Sequence, residues 1–170
     1  MKKVIFFAAL FTSVFISFQA FAQDKSKRPS PPATVTATTH NGVTIQIDYS
    51  QPAVKGRTIG KDIAPYGEVW RTGANEATVF QVNKDVTIDG KSLKAGKYSL
   101  YSIPGANEWT IILNKSWNQW GTVYNKKDDV MRFQAKPLQH AFTERMTFTI
   151  SPSGEVGLLW GNIQIGFMVK

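Results

Sequence analysis

Asn41-Gly42-Val43-Thr44-Ile45-Gln46-Ile47-Asp48-Tyr49-Ser50 is the stretch that decides the fold. Val43, Ile45, Ile47 and Tyr49 alternate with Thr44, Gln46, Asp48 and Ser50. Successive side chains of a strand point to opposite faces, so this pattern builds one apolar face and one wet face. Asn41-Gly42 ahead of it supplies residues that tolerate the positive φ of a hairpin turn, which places Thr34–Thr39 on the preceding strand. The same period returns at Trp109, Ile111 and Leu113, at Met146, Phe148 and Ile150, and at Ile163, Ile165, Phe167 and Val169. Asp89-Gly90 follows Val86–Ile88, and Pro104-Gly105 separates Tyr98–Ile103 from Trp109–Asn114. Ser153-Gly154 separates Met146–Ser151 from Val156–Trp160, and Gly161-Asn162 leads into a last strand. Turns therefore recur about every 8–12 residues, the spacing of a sandwich or barrel. No window from 23 onward carries a helical stripe; short helical turns are expected near Asp62–Tyr66 and Ser116–Trp120. The expectation is an all-β chain: an antiparallel β-sandwich of roughly eight to ten strands, with a closed barrel as the alternative.

The N-terminus is of another kind. Lys2 and Lys3 precede an apolar run from Val4 to Phe21, and Ala20-Phe21-Ala22 offers small residues at the two positions a signal peptidase reads. Residues 1–22 are read as a secretory signal cleaved near Ala22-Gln23, which implies a periplasmic or secreted protein. The competing reading, a retained anchor, suffers from a run near the lower limit for a span. Residues 23–33 are polar and proline-rich and read as an extended tail, leaving 34–170 as a single β domain. The chain has no cysteine, which excludes a disulfide framework, thiol catalysis and cysteine metal sites. With the signal removed, no transmembrane span is expected.

The chain carries 20 Lys+Arg against 12 Asp+Glu; loss of Lys2 and Lys3 leaves 18 against 12, a net of +6. The charges are spread out, and the dense groups, Lys25–Arg28 and Lys126-Lys127, lie in the tail and beside Asp128-Asp129 respectively. That is mild cationic character of an envelope protein rather than a nucleic-acid footprint, and no nucleic-acid partner is expected.

Two longer connections interrupt the strands: Gln51 to Gly67, with Lys55, Arg57 and Tyr66, and Lys115 to Asp129, with Trp117, Trp120, Gly121 and Tyr124. Long loops in compact domains tend to carry function. Between them lies Val69-Trp70-Arg71-Thr72-Gly73-Ala74-Asn75-Glu76. Arg71 and Glu76 bracket the Gly73-Ala74-Asn75 turn and are expected to face each other. They act either as anion holder and acid/base, or as an ion pair bracing the turn with Asn75. Lys55-Gly56-Arg57 is a cationic corner without the spacing of a phosphate loop. Trp70 reads either as core or as ligand contact, and Trp117 and Trp120 either as a stacking platform or as staples for their loop. His40 flanks a turn, while His140 and Glu144 lack a metal signature, so no metal and no cofactor is expected. No Gly-x-Ser-x-Gly nucleophile elbow occurs.

These segments carry a resemblance. Ser30-Pro31-Pro32-Ala33, Ile47-Asp48-Tyr49-Ser50-Gln51-Pro52, Val54-Lys55-Gly56-Arg57 and Pro65-Tyr66-Gly67 are part of it. So are Val69 through Thr78, Ala95-Gly96-Lys97-Tyr98-Ser99-Leu100, Ile103-Pro104, Trp109-Thr110 and Gln119-Trp120-Gly121. The chain resembles the bacterial domain-of-unknown-function family 2911. The resemblance implies an exported, single-domain, mostly β protein and implies no catalytic residues.

The residues themselves favour an uncharacterised envelope module that binds a polar or anionic glycan, peptide or protein. Lys55, Arg57, Tyr66, Trp70, Arg71, Asn75, Glu76 and Trp120 are the candidate contacts. The alternative is a small hydrolase or lyase with Glu76 as acid/base and Arg71 as electrostatic stabiliser.

Overall fold

A computed structural model describes residues 24–170; the expected secretory signal and the expected cleavage near Ala22-Gln23 lie outside the described residues. Ten strands follow in order: β1 Pro32–Thr38, β2 Thr44–Ser50, β3 Val79–Val82, β4 Val86–Ile88, β5 Lys91–Leu93, β6 Gly96–Ile103, β7 Trp109–Asn114, β8 Asp129–Ala135, β9 Leu138–Ile150 and β10 Glu155–Met168. All strand pairs are antiparallel. One sheet has the order β1-β2-β3-β6-β7-β8. The long β9–β10 hairpin forms the second layer, and the short β4–β5 hairpin is tied to the C-terminus by the Ile88–Val169 bridge. The architecture is the expected all-β sandwich, not a closed barrel.

Alternation explains the core. Ile45 and Ile47 of β2, Phe80 and Val82 of β3, and Leu100 of β6 point inward. Trp109, Ile111 and Leu113 of β7, with Met131 and Phe133 of β8, extend the same face. Met146, Phe148, Val156, Leu158, Trp160 and Ile165 of the hairpin close over it. The intervening residues of β6 and β7, among them Tyr101, Ile112 and Asn114, fall on the opposite face of the sheet. They are nevertheless buried, because the Lys115–Asp129 connection folds over them: Tyr101 Oη donates to Val123 O at 2.8 Å, and Asn114 Nδ2 to Asn125 O at 2.9 Å.

Several local expectations change. Gly161-Asn162 is not a turn: β10 runs through it with a register shift, Gly161 sits at φ 57°, and pairing continues from Gly161–Thr143 to Ile163–Gln139. At each of the two shifts β9 advances four residues against two of β10, so the extra residues bulge from β9 while the ladder holds β10 extended. The helical turns expected at Asp62–Tyr66 and Ser116–Trp120 are ordinary turns and bends, and the 3-10 turns lie at Lys25–Lys27 and Lys126–Asp128. Both begin after Asp24 or Asn125, whose side chain accepts from the second residue of its turn. The proline-rich segment is a docked strap: Arg145 Nη1 donates to Pro29 O at 3.1 Å, Asn75 Nδ2 donates to Ser30 O at 3.0 Å, and β1 begins at Pro32.

Candidate functional site

β3 is short, and what precedes it shapes the site. β6 pairs with β3 only from Gly96 to Ser99. Beyond that, Leu100 N donates to Thr78 O, and Trp70 and Ser102 exchange both backbone hydrogen bonds, at 2.7 and 2.9 Å. The Trp70–Thr78 segment thus continues the sheet beside β6, looping out between its two contacts. The loop requires left-handed backbone at Thr72, φ 48°, and Asn75, φ 60°. For a β-branched residue that conformation is a true outlier. Buried hydroxyls hold it: Thr72 Oγ1 donates to Ser102 Oγ at 2.9 Å, and Thr78 Oγ1 donates to Thr72 O at 2.8 Å. Gly73 has no room for a side chain, since a Cβ would come within 2.7 Å of Thr78 Oγ1.

Trp70 turns inward. Its ring stacks on Trp160, centroids 5.1 Å apart and planes 8° from parallel, and meets Trp109 edge-on at 6.1 Å. Arg71 therefore turns toward Tyr101. Its stem runs against Gly121, where a Cβ would lie 2.4 Å from Arg71 Cδ. Gly121 is fixed there by its N–H to Asn75 O at 3.1 Å. Val69, Trp70, Arg71, Tyr101, Gly121 and Tyr124 line an open depression of about 510 Å³. No Asp or Glu lines it.

Arg71 and Glu76 do not pair, contrary to expectation. Glu76 faces the strap instead: Arg28 Nη1 donates to its two oxygens at 3.0 and 2.9 Å, and Lys25 Nζ lies 3.0 Å from Oε1. Burial alone raises the Glu76 pKa. Hydrogen bonds from its own backbone, Lys25 and Arg28 outweigh that and leave it lowered to about 2. A carboxylate so firmly ionised suits a tether and not a general acid or base near neutral pH.

Arg71 has no carboxylate within ion-pair reach and no hydrogen-bond acceptor among the described residues. Its Nε is buried without a partner, as are Trp109 Nε1 and Trp160 Nε1. These unsatisfied donors lie on Arg71 itself and on the two rings packed against Trp70. Native interiors rarely leave such groups unpaired.

The other candidates are distributed. Arg57 is anchored by Nε to Val54 O at 3.1 Å and Nη2 to Ala53 O at 2.7 Å. Lys55 contributes its backbone N–H to Glu144 Oε1 at 2.9 Å, and its side chain lines neither the Arg71 depression nor Arg57's surroundings. Tyr66 lies over Gly60, which its ring leaves no room to become anything larger. Asn75 ties down the strap rather than facing the depression. Trp120 is half-exposed and outside the lining of this depression, and Lys97 Nζ lies 4.9 Å from the ring centroid of Trp117. Among the described residues no group of three His, Asp or Glu could hold a metal, and no helix is long and apolar enough to cross a membrane.

Tyr101 is the contact the sequence reading missed. It alternates off an apolar strand and looks like any strand tyrosine. Only the sheet continuation at Trp70 places it beside Arg71. Desolvation raises its pKa, against hydrogen bonds from Gln119 and Ser99 and the nearby Arg71 charge. Its hydroxyl is already engaged by Val123 O and Gln119 Nε2.

A family model described as a protein of unknown function (DUF2911) matches residues 30–169. No curated protein and no solved structure matches the chain.

Proposed function

The chain belongs to the DUF2911 family, a family of unknown function, and from its own geometry we propose that it is an exported β-sandwich module that binds an anionic ligand at Arg71. The observation that carries this is a guanidinium without an acidic partner among the described residues, set in an acid-free depression walled by Trp70, Tyr101 and Tyr124. A guanidinium presents a planar fork that matches carboxylate, phosphate or sulfate. Trp70 and Tyr124, both half-buried, supply aromatic area with little rotamer entropy to lose, and the buried Tyr101 backs them. Export is supported by the basic, apolar and small-residue order of residues 1–22.

Thermal unfolding in a panel of organic and inorganic oxyanions tests the binding. At least one anion should raise the melting temperature of the wild type and leave Arg71→Met unmoved. An equal response in both proteins removes Arg71 from the reading. N-terminal sequencing of the protein recovered from cells tests export, with Gln23 expected as the first residue.

A further inference from the structure

Trp70 and Arg71 border a second depression, of about 340 Å³, whose lining includes Arg57, Ala64, Gly73 and Trp160. No acidic side chain lines it either. Two of the donors that Arg57 owns are fixed on the carbonyls of Val54 and Ala53, so the guanidinium is oriented while its Nη1 bonds to nothing among the described residues. Arg71 also lines this depression, and its side chain has no acceptor among the described residues. Like charges lining one acid-free depression are uncomfortable unless an anion joins them.

The backbone around them points the same way. Among the described residues, Lys55, Ala64, Thr72, Asn75 and Asp89 are the non-glycine residues in the left-handed region, and all but Asp89 lie between β2 and β3, in the stretch that supplies most of this depression. Such conformations cost energy and persist where the surrounding structure imposes them, which is typical of ligand clamps.

We propose that Arg57 and Arg71 form a two-point clamp for the carboxylate of an acidic sugar, with the adjoining ring of the oligosaccharide passing Trp70 into the tyrosine-lined depression. This rests on the reading of Arg71 as a ligand contact. Three observations select the class. Neither depression is lined by a lysine or a helix N-terminus, so the guanidinium forks alone meet the anion, and a planar carboxylate matches a planar fork. The shared wall and the far side offer aromatic side chains, against which a sugar ring packs. Finally, a peptide has no strand edge to join. The Trp70 N–H and C=O are both engaged by Ser102, Gly121 N–H by Asn75, and Ala77 N–H by Gln119.

The test is calorimetric titration of the protein, purified as the cell processes it, with a galacturonate trimer, a galactose trimer and inorganic phosphate. The acidic trimer should bind and the neutral trimer should not. Arg57→Ala should weaken binding roughly tenfold and Arg71→Ala roughly a hundredfold, the loss expected when one partner of a hydrogen-bonded charge pair is truncated. Arg57→Lys and Arg71→Lys, checked for folding by thermal melts, should also bind weakly, because an ammonium cannot reproduce the fork. Dependence on Arg71 with no effect of Arg57→Ala would sink the clamp and leave the anion site standing. Phosphate binding as tight as the trimer's would overturn the sugar class. Failure of every oxyanion, in this titration and in the thermal panel, would overturn the Arg71 reading itself.

Discussion

Arg132 and Arg71 both lie beside a tyrosine at the connection that covers the sheet, yet the first is paired with a carboxylate and the second, among the described residues, is not. Arg132 Nε donates to Asp129 Oδ2 at 2.9 Å, and its Nη2 reaches Asp129 at 2.8 Å and Tyr124 Oη at 2.7 Å. Tyr124 Oη donates to the same oxygen at 2.7 Å, and Asn114 Nδ2 donates to Asp129 Oδ1 at 2.9 Å. Arg132, Tyr124 and Asn114 all converge on one carboxylate, as in a structural clamp. Arg71 has an aliphatic stem packed on Gly121 and a head without an acceptor among the described residues. The first arrangement holds the covering loop, and with it the Tyr124 wall; the second is what that wall encloses. An arginine's neighbours, and not its identity, separate brace from ligand contact.

The comparison breaks most visibly at Asp129. Asp129→Ala strips the acceptor from Arg132, Tyr124 and Asn114, and the Asp129 side chain is only 10% exposed. Leaving a charge and two polar groups unpaired should cost about 3 kcal/mol, read as a lower urea midpoint. In the wild type the Tyr124 phenol should titrate late. Burial and its bond to Asp129 push its pKa up to about 12, which ultraviolet absorbance of that tyrosine would follow.

Arg71→Met tests the other side. It keeps the apolar stem against Gly121 and removes an unsatisfied buried donor. Stability should stay level or rise by up to about 1 kcal/mol, while anion binding disappears. A fall as large as that of Asp129→Ala would place Arg71 among the braces and end the distinction.

Glu76→Gln sharpens the contrast at the strap. The folded pKa of Glu76, about 2, lies below the ordinary 4.5. The bonds to Lys25 and Arg28 therefore contribute stability that is present above about pH 4.5 and lost as pH falls toward 2. With the Glu76 side chain 41% exposed, solvent screening keeps the contribution below about 1 kcal/mol. The wild-type and variant melting curves should differ at pH 6 and converge near pH 2. A constant gap would mean that the carboxylate is not what the strap holds.

Lys55→Gly should have the smallest effect. Lys55 is exposed at φ 49°, and glycine relieves a left-handed conformation at the cost of a more flexible unfolded chain. A gain of about 0.5 kcal/mol is expected, with anion binding unchanged, since the Lys55 side chain lines neither depression.

The sequence determined the sandwich because alternation is local. Val43 to Tyr49 declare an inward face whatever lies opposite, and Asp89-Gly90, with φ of 50° and 71°, declares its turn. Signals of this kind also located the two functional connections and the Trp70–Glu76 segment. Tertiary structure alone decided what those residues do. Arg71 and Glu76 are close in sequence and read as a pair, but residues 25–28 dock on Glu76 from 48 positions away along the chain, Arg28 to Glu76. Tyr101 and Arg57 come to Arg71 from β6 and from a loop that no spacing rule connects to it. Gly161 reads as a turn because glycine permits one; pairing with Thr143 of the partner strand, between two register shifts, keeps β10 extended there. Faces and turns follow from neighbours a few residues apart. Charge partners depend on which distant segments the packed layers bring together, and a pattern of period two carries no information about that.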